Sequence, residues 1–270
     1  MKGFAAVACV TFSSIVLSGC LSPDNEARAG RHFDGDPWGG AVVQTVEEPS
    51  QWAPVAALVI ATPILHQHDD DYLNRMEEHH AVTGSDTIAG DAVMGVLVVA
   101  SVGLAGFNWY AGDHAQSLEV AVESFALTGL ETAVMKSLVG RPRPNDGTPD
   151  SFPSGHASFS FAASTFLARS IWATEDPEKS SVWTDAAGWA CYLPAAWVGI
   201  NRIETGRHFP SDVTAGAALG ILTTNLVWNA HYGDAAKKHE SIFKSEHPVS
   251  ATLSPFVIED GVGLLLQVRF

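Results

Sequence analysis

Basic residues are scarce in this chain: 15 Lys and Arg stand against 30 Asp and Glu, a formal net charge of −15. Nucleic-acid backbones are held by Lys and Arg, so this balance excludes a general nucleic-acid-binding role. Any anion site must therefore be a local concentration of positive charge. Cysteine is scarcer still, with three residues at Cys9, Cys20 and Cys191. Strand-like alternation is rare and there is no internal repeat, which removes solenoid and propeller architectures. Charged residues make up 17% and hydrophobic residues 46%, more apolar than most soluble domains and mild for a chain made mostly of transmembrane helix. The 270 residues allow one sizeable domain with trimmings, or at most two small ones.

The chain opens with MKGFAAVACVTFSSIVLSGC: one Lys, an apolar run, then Leu17-Ser18-Gly19-Cys20. This is the n-region and h-region of a secretory signal, ended by Cys where small-residue cleavage normally falls. Leu-Ser-Gly-Cys resembles a bacterial lipobox. Residues 1–19 are thus expected to be a lipoprotein signal peptide, with Cys20 as the lipidated first residue tethered to a membrane leaflet. An uncleaved anchor helix and an ordinary signal peptide are the plainer alternatives. Processing would remove Lys2 and no acid, taking the charge from −15 to −16. With Cys9 removed and Cys20 acylated, Cys191 would have no partner, which excludes an intramolecular disulfide on that reading. Cys191 then reads as a small buried hydrophobe.

Residues 20–52, rich in Gly, Pro, Asp and Glu, read as a flexible tether. From 53 to 233 the pattern is helical, with helices expected over 54–65, 70–80, 86–109, 115–138, 155–172, 183–200 and 211–231. The expected fold is an all-α helical bundle. Residues 234–270 form a tail in which apolar runs flank Asp260-Gly261, the signal of a short C-terminal β-hairpin packed on the helices. Two runs free of Asp, Glu, Lys and Arg, 92–112 and 213–233, are long enough to span a bilayer. Each is equally a central helix buried on all sides, and a lipid-tethered globular bundle is the favoured expectation. Gly216 and Gly220 form a small-xxx-small pair, read as close helix packing. Trp172, Trp183, Trp189 and Trp197 read as core or membrane-interface residues. The segment HQHDDDYLNRMEEHH (66–80) has metal-ligand spacing, but no second cluster completes a site. Its plainer reading is a solvated connection, and no metal is expected.

The positive charge that is present is concentrated. Five of the 15 Lys and Arg residues, Lys136, Arg141, Arg143, Arg202 and Arg207, fall in KSLVGRPRP and NRIETGRHFPSD. Between these lies FPSGHAS, which opens an apolar helix with Gly and His in its first turn, although Gly costs roughly 1 kcal/mol of helix propensity. A helix start at Pro153-Ser154 leaves the N–H groups of Ser154, Gly155 and His156 to face an anion, and Gly155 permits close approach. Pro210 marks another helix start. It places His208 just before that helix and Asp212 one turn inside, where a carboxylate can accept from one ring nitrogen and leave the other aimed at substrate. Singly, each of these residues has a structural explanation: Lys136 as a helix C-terminal cation, Arg202 with Asp212 as an ion pair, His156 as a satisfied core histidine.

Taken together, Lys136-x6-Arg143-Pro144, Pro153-Ser154-Gly155-His156 and Arg202-x5-His208-x3-Asp212 resemble the three motifs of the type 2 phosphatidic acid phosphatase and vanadium haloperoxidase superfamily. The resemblance covers roughly residues 55–232. The sequence departs from the pattern at Asn201, where the family has Ser before the Arg, a difference that bears on substrate positioning. The resemblance implies a phosphatase domain in which Lys136, Arg143, Arg202, the Ser154 hydroxyl and the Gly155 N–H bind the phosphoryl oxygens. It further implies that His208 is the nucleophile, Asp212 holds its ring and His156 protonates the leaving oxygen. No cofactor is implied. The substrate expected on this basis is a lipid phosphate or diphosphate: phosphatidic acid, phosphatidylglycerophosphate or a polyprenyl diphosphate. The expected location is the extracytoplasmic, periplasmic face of a bacterial envelope membrane. A vanadate-dependent haloperoxidase and a non-catalytic envelope lipoprotein are the competing functions.

Overall fold

The computed structural model describes residues 37–72, 74, 84–112, 116–173, 182–233, 250–258 and 261–269. In chain order the helices are α1 (Pro37–Glu47), α2 (Pro49–His66), α3 (Gly84–Ala111), α4 (Gln116–Val139), α5 (Gly155–Ala173), α6 (Val182–Ala190), α7 (Tyr192–Glu204) and α8 (Pro210–Tyr232). Strands β1 (Ser250–Ile258) and β2 (Gly261–Arg269) pair antiparallel. Among the described residues, no helix makes a substantial contact with this pair, so the packing on the helices expected of the hairpin is not seen.

Two helices organise the bundle. α8 packs against α5, α2, α1 and α4, while α5 also meets α7, α3, α4 and α6. Small side chains make this double role physically possible. A Cβ on Gly216 would lie 2.4 Å from the Ser154 carbonyl oxygen, and one on Gly220 would lie 2.2 Å from that of Ser158. The small-xxx-small stripe is therefore the seam between α5 and α8. α8 is lined by buried residues on all sides, from Ser211 to Ala230, which settles the 213–233 run as the central helix of the bundle. At the end remote from Ser154, Phe166, Val227 and Trp228 pack with Ala105, Val120 and Ala121.

The run at 92–112 behaves differently. Residues 87–111 are long and apolar enough to cross a membrane, and only 22% of the most apolar stretch is buried within the protein. Its outer face exposes Val96, Val99, Phe107, Trp109 and Tyr110. Further exposed apolar side chains come from α2 (Val59, Ile60, Ile64), α4 (Leu130, Leu138), α6 (Trp183, Trp189) and α7 (Leu193, Trp197, Ile200). Of the four tryptophans singled out above, Trp172 stacks edge-on with Trp189 at 5.4 Å, and Trp183, Trp189 and Trp197 face outward.

Two expectations need correction. Residues 37–52 are not part of a tether: α1 lies along α8, with Ala41 and Thr45 buried. The reason is polar. Asn229, buried inside α8, donates to Thr45 Oγ1 at 2.9 Å and to Gln51 Oε1 at 2.7 Å, so α1 and α2 supply the partners that a buried amide requires. The remainder of 20–52 lies outside the described residues, as do the signal segment and Cys20. The single helix expected at 183–200 is two, broken at Cys191, because Pro194 has no N–H to offer residue 190 and its ring clashes with that carbonyl. Cys191 is consequently half-buried at the junction rather than in the core. The helix expected at 70–80 is helical over 69–72 and at 74, and the rest of that segment lies outside the described residues.

Candidate active site

Four helix ends converge on one face of the bundle, and each ends for a local reason. α4 stops at Gly140, which takes a left-handed φ of 58° and returns its N–H to Lys136 at 2.9 Å; Pro142 and Pro144 prevent continuation. α7 stops likewise at Gly206, φ 65°, whose N–H reaches the Ile203 carbonyl at 2.9 Å. That reversal leaves only Arg207, His208 and extended Phe209 before Pro210 starts α8. α5 begins after Ser154, whose hydroxyl accepts the Ala157 N–H at 3.4 Å. The result gathers Lys136 and Arg143 from α4 and its exit, Ser154, Gly155 and His156 from the α5 start, Arg202 from the end of α7, and His208 and Asp212 at the α8 start. Gly155 sits against Lys136, where an added Cβ would lie 3.9 Å from Cε.

His208 is 2% exposed. Its Nδ1 lies 2.7 Å from the Ser151 carbonyl oxygen, and a carbonyl can only accept, so the proton is on Nδ1 and Nε2 carries a free lone pair. Burial, joined by the charges of Lys136 and Arg143, holds the ring down to a pKa of about 3 against the opposing pull of the Ser151 carbonyl. A neutral ring of defined tautomer is the form a nucleophile requires.

Asp212 reaches this ring at one remove. Its Oδ2 stands 3.9 Å from Nδ1, beyond hydrogen-bond range. It accepts instead from the Phe209 N–H at 2.9 Å and from the Ser151 hydroxyl. Ser151, which the sequence reading overlooked, thus bonds the carboxylate with its side chain and the imidazole with its backbone. The expected direct ring contact fails because the Ser151 carbonyl occupies the position in front of Nδ1. A second correction concerns Ser154, whose N–H donates to the Asp212 carbonyl at 3.0 Å; the amides left for an anion at the α5 start are those of Gly155 and His156.

The cations are held by acceptors the sequence did not single out. Arg143 forks onto Asp150, with Nε at 2.7 Å and Nη2 at 2.8 Å, and Lys136 Nζ donates to the Asp150 carbonyl. Burial pushes the Asp150 carboxyl up, yet its bonds to Arg143 and Thr148 and the nearby Lys136 charge hold it below the usual range. Arg202, 3% exposed, gives Nη2 to the Thr87 carbonyl at 2.7 Å and Nη1 to Asp91 at 3.0 Å. The same Asp91 oxygen lies 2.7 Å from His156 Nε2. Gly90 makes this approach possible, since a Cβ there would meet Arg202 Nη2 at 2.2 Å. Asp91 sits in a helical run with no motif around it, and only the packing of α3 on α5 and α7 reveals its place.

Among the described residues, no group of three or more metal-ligating side chains converges. The described part of 66–80 turns Asp69 inward, to 1% exposure, and the rest of that cluster lies outside the described residues.

Comparison with known proteins agrees with this geometry. The family model of the PAP2 superfamily matches residues 120–235, a span that holds all the motif residues named above. A lipid A 1-phosphatase of Porphyromonas gingivalis is 38% identical over 101 residues, 37% of this chain and 21% of that protein. A probable diacylglycerol pyrophosphate phosphatase of Schizosaccharomyces pombe is 29% identical over 146 residues, 42% of this chain and 52% of the other. The chain thus spans between a fifth and about half of the length of these relatives. In three dimensions the bundle is similar to a transmembrane PAP2 type phosphatidylglycerolphosphate phosphatase from Bacillus subtilis, with a TM-score of 0.51 at 19% identity over 73% of this chain and 100% of that one. That likeness bears on the fold. The motif residues converge inside the span that matches the PAP2 superfamily, so this part of the chain is similar to that superfamily in both sequence and arrangement.

Proposed function

We propose that this protein is a phosphatase that hydrolyses a membrane-lipid phosphate or diphosphate through a phosphohistidine on His208. The observation that carries the reading is the buried, neutral His208 with its bare Nε2, close enough to Lys136 and Arg143 to feel their charges. The lone pair of Nε2 attacks phosphorus. Lys136, Arg143, Arg202, the Ser154 hydroxyl and the Gly155 N–H stabilise charge on the five-coordinate centre. His156 gives its proton to the leaving oxygen as the P–O bond breaks. It then takes a proton from water, whose oxygen attacks phosphorus and releases phosphate from Nε2. Three protein cations supply the charge stabilisation that divalent metals supply in other phosphoryl-transfer enzymes.

The same site explains the position of Asp91. Its carboxylate bridges His156 Nε2 and Arg202 Nη1, the groups assigned here to the leaving oxygen and a phosphoryl oxygen. Substrate takes over these donors and displaces Asp91.

Two features support a lipid substrate. Exposed apolar side chains run along α2, α3, α4, α6 and α7, the kind of surface that a membrane covers. From Asp91 at the site to Trp109 at the other end of α3 is 18 residues, about 27 Å of helix, close to the ~30 Å of a bilayer hydrocarbon core. The bundle therefore sits in the membrane with its catalytic mouth at one interface and an aromatic-rich end at the other. This reading replaces the expectation of a globular bundle held only by its lipid. Lipidation of Cys20 would add an anchor on the extracytoplasmic, periplasmic face, with 53–233 as the core of the catalytic domain and the C-terminal hairpin as an appendage. The test is phosphate release from phosphatidic acid, phosphatidylglycerophosphate, a polyprenyl diphosphate and soluble monoesters, with EDTA present. Activity on at least one lipid that survives chelation and is inhibited competitively by vanadate is expected. Activity lost with EDTA and restored by Mg²⁺ or Zn²⁺ would overturn the metal-independent mechanism.

A further inference from the structure

Asp69 belongs to the stretch of His and acidic residues between α2 and α3, in which sequence suggests a solvated link, yet its side chain is 2% exposed. It faces Arg141, which occupies one of the variable positions within Lys136-x6-Arg143. Arg141 spends its fork on both carboxylates of this region: Nη2 reaches Asp69 Oδ2 at 2.8 Å, and Nη1 reaches Asp212 Oδ1 at 2.7 Å and Ser211 Oγ at 2.8 Å. The guanidinium carbon lies over Phe209, 4.0 Å from the ring centroid. Asp69 Oδ2 is further bonded by the Ser211 hydroxyl and lies 3.0 Å from His66 Nδ1. Tyr72, one turn on, donates its hydroxyl to the Ile203 carbonyl. The 66–72 segment therefore grips the His208 loop at Ile203 on one side and at Ser211 on the other.

We propose that Asp69, acting through Arg141, is a positioning residue for the nucleophile. Four links run in series from Asp69 to Arg141, to Asp212, to Ser151 and to the His208 ring. Each intermediate partner is a planar or doubly bonded group with a preferred direction, so fixing the first link fixes the last. The charge count gives the arrangement a second consequence. One guanidinium is shared between two buried carboxylates, which leaves the charge of Asp212 only partly neutralised behind the ring. When Nε2 bonds to phosphorus the imidazole becomes cationic, and that unneutralised charge favours the change. Arg141 paired with Asp212 alone would cancel it. The inference rests on the phosphohistidine reading for its kinetic effects and on geometry alone for the ring orientation.

The experiment uses the full chain in detergent, comparing wild type with Asp69→Asn, Arg141→Lys, Asp212→Asn and Asp69→Asn/Asp212→Asn. Asp69→Asn keeps the shape of the side chain and removes its charge; Arg141→Lys keeps the charge and removes the fork. Expected for each single variant is a fall in kcat of about tenfold or more, with KM within about twofold and the melting temperature close to wild type. The fall should be equal for nitrophenyl and alkyl phosphates, because the defect lies in the attacking group and not in protonation of the leaving group. The double variant should be no slower than Asp212→Asn alone. The hydrogen-bonded Nδ1 proton of His208, observed by NMR, should shift or broaden in Asp69→Asn. Wild-type kcat in a folded Asp69→Asn, a loss confined to poor leaving groups, or multiplying losses in the double variant would each overturn the proposal. If the wild type releases no phosphate from any substrate, the functional reading fails; the NMR signal still decides the positioning role, and an unchanged Nδ1 resonance would end it.

Discussion

Substituting Gly216 by Ala tests whether the α5–α8 seam sets the geometry of the site. A Cβ at this position would lie 2.4 Å from the Ser154 carbonyl oxygen, 3.1 Å from Ser158 Oγ and 3.2 Å from Ala157 Cβ. A carbon and a backbone oxygen come no closer than about 3.3 Å, so α5 must retreat by about 0.9 Å at its first residue. Ser154 is also the residue whose N–H holds the Asp212 carbonyl at 3.0 Å, and a retreat of that size breaks the bond. The Ser154–His156 start of α5, the proposed phosphate-binding mouth, then parts from the His208–Asp212 end of α8. Displacements of this size cost on the order of 10²-fold in rate, while overpacking costs about 1–3 kcal/mol of stability. Gly220→Ala is the control. Its Cβ would strike the Ser158 carbonyl at 2.2 Å, one turn deeper, where tilting about the Ser154–Asp212 bond can relieve it. It should lower the melting temperature at least as much and kcat far less. The assay is initial-rate phosphate release beside thermal unfolding in the same detergent. A folded Gly216→Ala with kcat within about threefold of wild type, or a Gly220→Ala equally slow, would refute the reasoning.

The two histidines should separate by leaving group. His156→Ala is expected to lose much less activity on nitrophenyl phosphate, whose leaving group hardly needs a proton, than on an alkyl or lipid phosphate. His208→Ala should be inactive on both and should trap no phosphate on the protein. His208 is held near pKa 3, so its folded value lies below the ordinary 6.5. The unfolded chain then binds the extra proton between those limits, and this group makes stability rise with pH from about 3 to 6.5. A histidine NMR titration should show the His208 ring unchanged from pH 5 to 8; a midpoint near 6.5 would contradict the burial argument. Asp91→Asn should tighten inhibition by inorganic phosphate several-fold, because it removes the internal carboxylate from Arg202 and His156; unchanged or weaker inhibition would mean that Asp91 does not compete with substrate. Cys20→Ala should alter processing or weaken membrane retention of the chain, and unchanged fractionation would leave anchoring to the apolar helices.

The sequence by itself picked out most of the residues that the fold brings together at the candidate site. Lys136, Arg143, His156, Arg202 and His208 were legible because their spacing places each at a helix end, and helix ends follow from local signals: Pro153 and Pro210 at starts, Gly140 and Gly206 at stops. The helices of 86–109, 115–138, 155–172 and 211–231 were legible for the same reason, as apolar runs bounded by breakers. Local signals failed where a neighbour distant in sequence decided the outcome. Residues 37–52 look like a tether until Asn229, buried in α8, demands hydrogen-bond partners from Thr45 and Gln51. Asp91 and Asp150 carry no motif, and only packing shows them gripping Arg202 and Arg143. Asp69 looks solvated beside Asp70 and Asp71, and only the fold turns it in to Arg141. The choice between two apolar runs was also tertiary. Composition makes 92–112 and 213–233 alike, but the glycine seam draws α5 and its neighbours around α8 and leaves the outer face of α3 uncovered. Burial belongs to the packed arrangement of surfaces, and no single segment carries that information.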